Sequence, residues 1–204
     1  MTRFDLAHWD LYNARQTGRA PRQLCRDLLT RAGEGAGRQA VDLGAGSGVE
    51  ATALVRAGWH VLAVDPAPGT ADLVPRLVPP ALRAGLEVRV ATVQEALPLP
   101  SAHLVHASYA LPFVPPSDFA RVWEGVRGAL APGGWVGVTL FGERDEWATD
   151  LATADALTFH HEEDVGELID GLDVLVVDER EHDGPSFGGP KHWHTFEVVA
   201  RRPA

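Results

Sequence analysis

The chain has few of the residues that crosslink a protein or anchor it in a membrane. Cys25 is the only cysteine among 204 residues, which excludes an intrachain disulfide and a thiolate metal cluster. No apolar run approaches the roughly 20 residues of a membrane helix, and the N-terminus lacks the apolar core of a signal peptide. These features predict one globular domain over residues 1–204, located in the reducing cytoplasm.

Basic residues are also scarce. There are 18 Lys and Arg against 28 Asp and Glu, giving a net charge of −10, and the stretch 143–183 contains fifteen acidic residues against Arg144 and Arg180. A nucleic-acid-binding protein normally has a basic face that displaces counterions from phosphates. The composition therefore predicts no nucleic acid and no anionic membrane as a partner, and the acidic stretch is interpreted as solvated surface.

The most informative segment is a glycine-rich turn between two apolar strands. Residues 40–48 read AVDLGAGSG, a helix-like stretch follows, and a second apolar strand ends at Asp65, 21 residues beyond Gly44. This order is typical of the nucleotide-binding half of a doubly wound α/β sheet. The glycines let the backbone approach a ligand, and the acid can accept hydrogen bonds from ribose hydroxyls.

Two residues in this segment bear on which nucleotide binds. The dinucleotide pattern G-x-G-x-x-G requires glycine at position 49, where the chain has Val49. Asp42, two places before the first glycine, is a poor neighbour for a pyrophosphate but a good partner for an ammonium group. Both features favour S-adenosylmethionine, which has a cationic amino-acid end and a ribose. A turn without a ligand and an NAD-linked oxidoreductase are the alternatives.

Together these residues resemble motif I and the ribose-binding acid of class I S-adenosylmethionine-dependent methyltransferases. The segment LAPGG at 130–134 also resembles this family, in which a similar segment opens the fifth strand. The pattern as a whole resembles the small methyltransferases of the tellurite-resistance and thiopurine type. This resemblance implies a Rossmann-like core over residues 36–201, with a seven-stranded sheet, an antiparallel last strand and helices on both faces. Residues 1–35 would form a helical cap.

The resemblance also implies S-adenosylmethionine as cofactor and a set of residues that hold it. The glycine-rich turn would receive the amino-acid end, and the end of the second strand the ribose. Many family members hold adenine with an acid at the position of Val93, so Gln94 or Glu95 is expected to replace it here. The expected cofactor-binding residues are Asp42, Gly44, Ala45, Gly46, Asp65, Pro66, Gln94, Glu95 and Ser108.

The methyl acceptor is expected beyond the carboxyl ends of the strands, where open parallel sheets bind ligands. Tyr109 follows the fourth strand and would contact the sulfonium or the substrate, or else pack as a core aromatic. Further candidate bases are His106 and Glu143, and Arg19 is a candidate partner for the methionine or substrate carboxylate.

The end of the chain supplies the remaining catalytic candidates. Two strands near 173–178 and 192–200, joined by a long glycine- and proline-containing loop, would form a terminal hairpin beside the site. His192 and His194 share one face of a strand, with Trp193 opposite. We expect both histidines, with Lys191, in the acceptor pocket; structural packing and metal ligation are the alternatives, and no metal site is assigned.

The predicted function is methyl transfer from S-adenosylmethionine to a small molecule by in-line displacement. A non-catalytic S-adenosylmethionine-binding or interaction protein is the alternative.

Overall fold

The fold is built on one mixed β-sheet. The computed structural model describes residues 5–204, and the strands follow the order β3-β2-β1-β4-β5-β8-β7, with β6 paired to β5. Their bounds are β1 Gln39–Leu43, β2 His60–Asp65, β3 Leu86–Val90, β4 Ala102–Ala107, β5 Leu130–Gly142, β6 Phe159–His160, β7 Asp173–Ser186 and β8 Gly189–Arg201.

Strand direction matches the predicted doubly wound sheet. The pairings of β1 with β2 and β4, of β2 with β3 and of β4 with β5 are parallel, whereas β8 runs antiparallel to both β5 and β7. The antiparallel last strand is therefore confirmed. The eighth strand, β6, is an addition: it pairs with Phe141 and Gly142, beyond Val138, where the pairing with β4 ends.

Helices cover both faces of the sheet, as expected. One apolar cluster contains Val41 and Leu43 of β1, and the other contains Ala40, because neighbouring strand residues point to opposite faces. The first cluster is covered by α5 and α7, and the second by α2, α3 and α4. The helices are α1 Leu6–Gln16, α2 Gln23–Ala32, α3 Val49–Arg56, α4 Thr70–Leu77, α5 Pro116–Ala129, α6 Glu146–Thr149 and α7 Glu162–Leu168. None of the helices within residues 5–204 is long and apolar enough to cross a bilayer.

The N-terminal segment has two different roles. Residues 1–4 of the predicted cap lie outside the described part of the chain. Helix α2 belongs to the core, since Leu24 and Leu28 are buried and a Cβ at Gly137 would lie 2.4 Å from the Leu28 side chain. Helix α1 lies at the carboxyl ends of the strands, where it can cover a ligand.

The terminal hairpin is longer than expected. Strands β7 and β8 pair from Asp173 opposite Arg201 to Ser186 opposite Gly189, so the loop predicted between 178 and 192 is mostly strand. Its turn is closed by Ser186, whose Oγ donates to the Gly189 carbonyl at 2.7 Å and accepts from Gly188 N at 3.2 Å. At the hairpin tip the ring of Phe187 packs against α1, 4.9 Å from the ring of His8 and 5.6 Å from that of Tyr12.

Candidate active site

A cavity of about 1260 Å³ lies at the carboxyl ends of the central strands, between α1 and the hairpin tip. Most of the predicted site residues line it: Gly44, Ala45, Gly46, Asp65, Pro66, Gln94, Ser108 and Tyr109. Asp42, Glu95, His192 and His194 are not among the lining residues. The volume exceeds the usual 300–1000 Å³ range of ligand pockets, so it has room for two ligands.

The glycine-rich turn forms one wall through backbone that few other residues could adopt. Gly44 and Gly46 have φ of 69° and 54°, and a Cβ on Gly44 would lie 2.5 Å from the Ala110 Cβ. The amides of Gly44 and Ala45 both donate to the Val64 carbonyl, at 2.8 and 3.0 Å. The turn is thus held against the end of β2 with its backbone facing the cavity.

Asp65 links this turn to the end of β2. Its Oδ2 accepts from Gly46 N at 2.8 Å, and its Oδ1 accepts from Ala67 N at 2.9 Å and from Thr70 Oγ1 at 3.2 Å. Burial raises the pKa of this carboxyl, while the bonds from Ala67 and Gly46 oppose the rise. The carboxylate is therefore fixed in position on the cavity wall.

A partly buried ion pair lies beside the turn, between Arg19 and Glu50. The guanidinium donates to both carboxylate oxygens, at 2.5 and 2.7 Å, and Glu50 also accepts from Arg22 N at 2.9 Å. Burial alone would raise the pKa of Glu50, but these bonds hold it below its ordinary value. Arg19, predicted from the sequence, does line the cavity; Glu50 was not singled out because nothing local distinguishes an acid in the first turn of a helix.

Asp42 does not line the cavity but contacts His106, which does. The predicted direct contact between Asp42 and an ammonium group is therefore wrong. Asp42 and His106 are in register on β1 and β4, both are buried, and Asp42 Oδ1 lies 2.7 Å from His106 Nδ1. His106 lines the cavity, and its Nε2 is buried without a partner in residues 5–204. With Nδ1–H donating to Asp42, Nε2 of the neutral ring is a hydrogen-bond acceptor.

Four cavity-lining residues carry a buried polar atom without a protein partner in the described chain. Buried polar groups are rarely left unpaired, so a set of them on one cavity wall indicates a ligand. Both donors and acceptors are present, as the carboxylate and ammonium of an amino acid require. The four atoms are Arg19 Nε, Ser47 Oγ, His106 Nε2 and Ser108 Oγ.

The wall beyond β3 is formed by Thr92, Val93 and Gln94. Glu95, one of the two residues expected to hold adenine, does not reach it. The Glu95 carboxylate accepts from Thr92 N at 2.9 Å and from Thr92 Oγ1 at 2.8 Å, and so closes the turn formed by residues 92–95. These two hydrogen bonds lower the pKa of Glu95. Gln94 is therefore the remaining polar candidate.

The far half of the cavity is aromatic. Tyr109 has φ of 54°, uncommon for a residue other than glycine, and its ring lies 5.8 Å from that of Trp193. Burial raises the pKa of the Tyr109 phenol, so the hydroxyl is neutral near pH 7 and is not a base in its resting state. The other aromatic lining residues are Trp9, Tyr12, Phe113, Phe141, Trp147 and Phe187.

The two histidines of β8 do not face this cavity. Trp193, which lies between them, is a lining residue, so strand alternation directs His192 and His194 to the other face. His192 contacts Asp183 at 2.7 Å and Glu181 at 3.0 Å on the surface of the hairpin. The alternation was predicted correctly, but the face was the reverse of the expected one.

His194 has a structural role in the turn after β5. Its fully buried ring accepts from Arg144 N through Nδ1 at 3.0 Å, and its Nε2 lies 2.9 Å from Glu179. A Cβ at Gly142 would lie 2.0 Å from Nδ1, so the imidazole requires glycine there. Among residues 5–204, no group of three or more potential ligand side chains is placed to hold a metal.

We therefore expect His192→Ala to leave turnover and S-adenosylhomocysteine affinity unchanged within a factor of about three. The hydrogen bonds that the His192 ring donates to Asp183 and Glu181 raise the pKa of His192, so the native ring binds its proton more tightly than in the unfolded chain. Any stabilisation is present below the unfolded pKa and is lost as pH rises through the raised value.

Calorimetric titration and a turnover assay with an acceptor found by screening would measure both quantities. Trp193→Phe is the matched comparison, because this neighbour does line the cavity and should lower turnover. Impaired turnover in the His192 variant alone would contradict the assignment.

Comparison with known proteins agrees with this geometry. Residues 40–134 match a family model described as a methyltransferase domain, and this span includes the glycine-rich turn, Asp65 and Tyr109. The chain has the fold of a class I methyltransferase. The predicted resemblance to this family is thereby confirmed.

Individual relatives give the extent of the likeness. An uncharacterized methyltransferase of Mycobacterium tuberculosis is 37% identical over 123 residues, 57% of this chain and 46% of the relative. The chain thus spans about half the length of this curated relative.

Solved structures extend the likeness in fold to almost the whole chain. TehB from Haemophilus influenzae has a TM-score of 0.75 at 12% identity, covering 96% of this chain and 67% of that one. The 1,6-didemethyltoxoflavin-N1-methyltransferase of Burkholderia thailandensis was crystallised with 1,6-didemethyltoxoflavin and S-adenosylhomocysteine. It has a TM-score of 0.65 at 18% identity and covers 98% of this chain and 88% of that one.

Proposed function

We propose that the protein transfers a methyl group from S-adenosylmethionine to a small molecule. The observation that carries this proposal is one cavity with two chemically different halves. The glycine-rich turn, Asp65 and four partnerless polar atoms line one half, and aromatic rings line the other. The first half suits a charged nucleoside, and the second suits an acceptor with a planar or apolar body.

The residues present fit this cofactor from end to end. Arg19 Nε is a donor for the methionine carboxylate, and His106 Nε2 is an acceptor for its ammonium. Gly44, Ala45 and Gly46 provide close backbone approach, and Asp65 with Pro66 lies where the ribose would bind. Gln94, with the neighbouring Val93, is the candidate for adenine.

Bound S-adenosylmethionine supplies a methyl group on a sulfonium: the C–S bond breaks with its electron pair going to sulfur, and an acceptor lone pair forms the new bond. The protein therefore mainly contributes alignment and a dry pocket. The rings of Tyr109, Phe141 and Trp193 line the cavity and would exclude water from a bound acceptor.

Calorimetry followed by turnover tests this proposal. S-adenosylhomocysteine should bind with one-to-one stoichiometry and NAD should not, and a panel of small acceptors should give methylated product by mass spectrometry. Binding without turnover of any acceptor would favour the alternative of a non-catalytic binding protein. Binding of NAD in place of S-adenosylhomocysteine would favour the oxidoreductase.

We also propose that nucleic acid is not a partner and that the protein works in the cytoplasm. The net charge of −10 is opposite in sign to what the displacement of counterions from phosphates requires, so we expect no saturation in the micromolar range when labelled DNA or RNA is titrated at low salt. Fluorescence anisotropy measures this directly. Micromolar saturation would overturn the expectation.

A further inference from the structure

Arg22 places a guanidinium on the cavity wall at the start of α2. Its charged carbon lies 4.9 Å from the centre of the Tyr109 ring, and its Nη2 donates to Tyr12 Oη at 2.9 Å. Both tyrosines line the same cavity. The guanidinium is therefore held by aromatic side chains at the acceptor end.

A carboxylate neutralises the charge of Arg19 but not that of Arg22. Arg19 donates to both oxygens of Glu50, whereas no carboxylate in the described chain lies within ion-pair distance of the Arg22 guanidinium. Glu50 receives only the backbone amide of Arg22. Of the five N–H groups that an arginine carries, one on Nη2 has a partner within residues 5–204, so most of its donor capacity is unused.

We infer that the methyl acceptor carries a carboxylate or a similar oxyanion on a planar body, and that Arg22 binds this anionic group. The inference rests on the proposed methyltransferase function and names its substrate class. A planar guanidinium matches a carboxylate with two parallel hydrogen bonds, and a carboxylate is the charge it lacks here. The acceptor body then packs on the aromatic half of the cavity, beside Tyr109 and Trp193.

The charge of the whole chain makes a local cation necessary for such a substrate. At a net charge of −10 the protein repels anions at long range, and Asp65 adds a carboxylate to the same cavity. Selective retention of an anion therefore requires a specific positive group. Arg22 is held in place by its contacts with the two tyrosines, so little conformational freedom is lost when it binds.

The experiment compares aromatic carboxylates with their neutral amides on protein saturated with S-adenosylhomocysteine. The probe pairs are benzoate and benzamide, 4-hydroxybenzoate and 4-hydroxybenzamide, and indole-3-acetate and indole-3-acetamide, measured by equilibrium dialysis. We expect at least one carboxylate to bind about tenfold more tightly than its amide, as a hydrogen bond to a charged group allows. Arg22→Gln should remove that preference, leaving amide binding and S-adenosylhomocysteine affinity within a factor of about three.

Two further variants isolate the charge from the fold. Arg22→Lys should retain part of the preference, since it keeps the charge without the planar fork. Arg15→Gln is the matched control: Arg15 also lies over an aromatic ring, that of Phe187 at 5.1 Å, but it is exposed and does not line the cavity. It should change nothing. Thermal midpoints of all variants show whether they fold.

The outcomes separate this inference from the proposed function. Equal binding of acids and amides, or binding of no probe by protein that holds S-adenosylhomocysteine, would overturn the substrate class alone. Weaker S-adenosylhomocysteine binding in Arg22→Gln with the preference intact would also overturn it, by assigning Arg22 to the methionine end. Failure of the unaltered protein to bind S-adenosylhomocysteine would instead overturn the proposed function.

Discussion

Asp65→Ala is expected to weaken S-adenosylhomocysteine binding by about 1.5–3 kcal/mol, the cost of losing hydrogen bonds to a charged group. The carboxylate lies on the cavity wall and also holds the Gly46 amide at 2.8 Å, so its removal takes away both a ribose partner and a support of the turn. Isothermal titration calorimetry gives the dissociation constant.

The matched control for this variant is Asp72→Ala. Asp72 belongs to the next helix along the chain and is exposed, so its loss should leave the affinity unchanged. Asp65→Asn separates the effect of the charge from that of the hydrogen bonds, since the amide retains an accepting oxygen but loses the charge. An unaltered dissociation constant in Asp65→Ala, with the thermal midpoint preserved, would remove the ribose assignment.

The largest effect on stability is expected at Asp145, the partner of the only lysine in the chain. The side chains of Asp145 and Lys191 form a buried ion pair, and the ammonium lies 3.6 Å from the ring centre of Trp147 and 3.9 Å from that of Trp193. Asp145→Ala removes the carboxylate from a cation that is 5% exposed. Breaking a buried pair in this way typically costs about 3–5 kcal/mol of the free energy of unfolding.

Urea denaturation of the single variants and of the double variant Asp145→Ala, Lys191→Met measures this cost. The double variant should recover part of the loss, because the buried ammonium is gone, whereas the hydrogen bonds that Asp145 accepts from Trp147 N and His194 N stay lost. Asp170→Ala, which removes an exposed acid elsewhere in the chain, is the comparison and should cost far less. Equal stability of Asp145→Ala and the unaltered protein would contradict the account. Lys191 packs against Trp147 and Trp193, whose rings line the cavity, and does not itself line it. The prediction that Lys191 belongs to the acceptor pocket is therefore wrong.

The sequence predicted the cofactor half of the site well because that half is local. A strand, a glycine-rich turn and the acid ending the next strand lie within 26 residues, and parallel pairing of β1 with β2 brings them together. Gly44, Gly46 and Asp65 could therefore be placed on one wall without knowledge of the rest of the fold.

The acceptor half depends on contacts between distant segments, and its residues were harder to predict. Strand alternation shows that His192 and Trp193 face opposite ways, but only the packing of the hairpin decides which of them meets the cavity. Arg22 lies before the first strand and reaches Tyr109 across 87 positions of the chain, so no local pattern indicates the contact. Glu95 was difficult to predict for a different reason: Thr92 binds its carboxylate, which is then not directed towards the cavity where adenine was expected.

Helix α1 is a wall common to both halves of the cavity. At one side Asp10 accepts from Gly69 N at 3.0 Å, close to the cofactor turn, and at the other the ring of Tyr12 lies 5.6 Å from that of Phe187 at the hairpin tip. A ligand in either half would therefore contact the same helix, and the two ligands would share one wall of the cavity. By linkage, any factor by which one ligand changes the affinity for the other must also apply in the opposite direction, and α1 is the element that we expect to connect the two binding free energies.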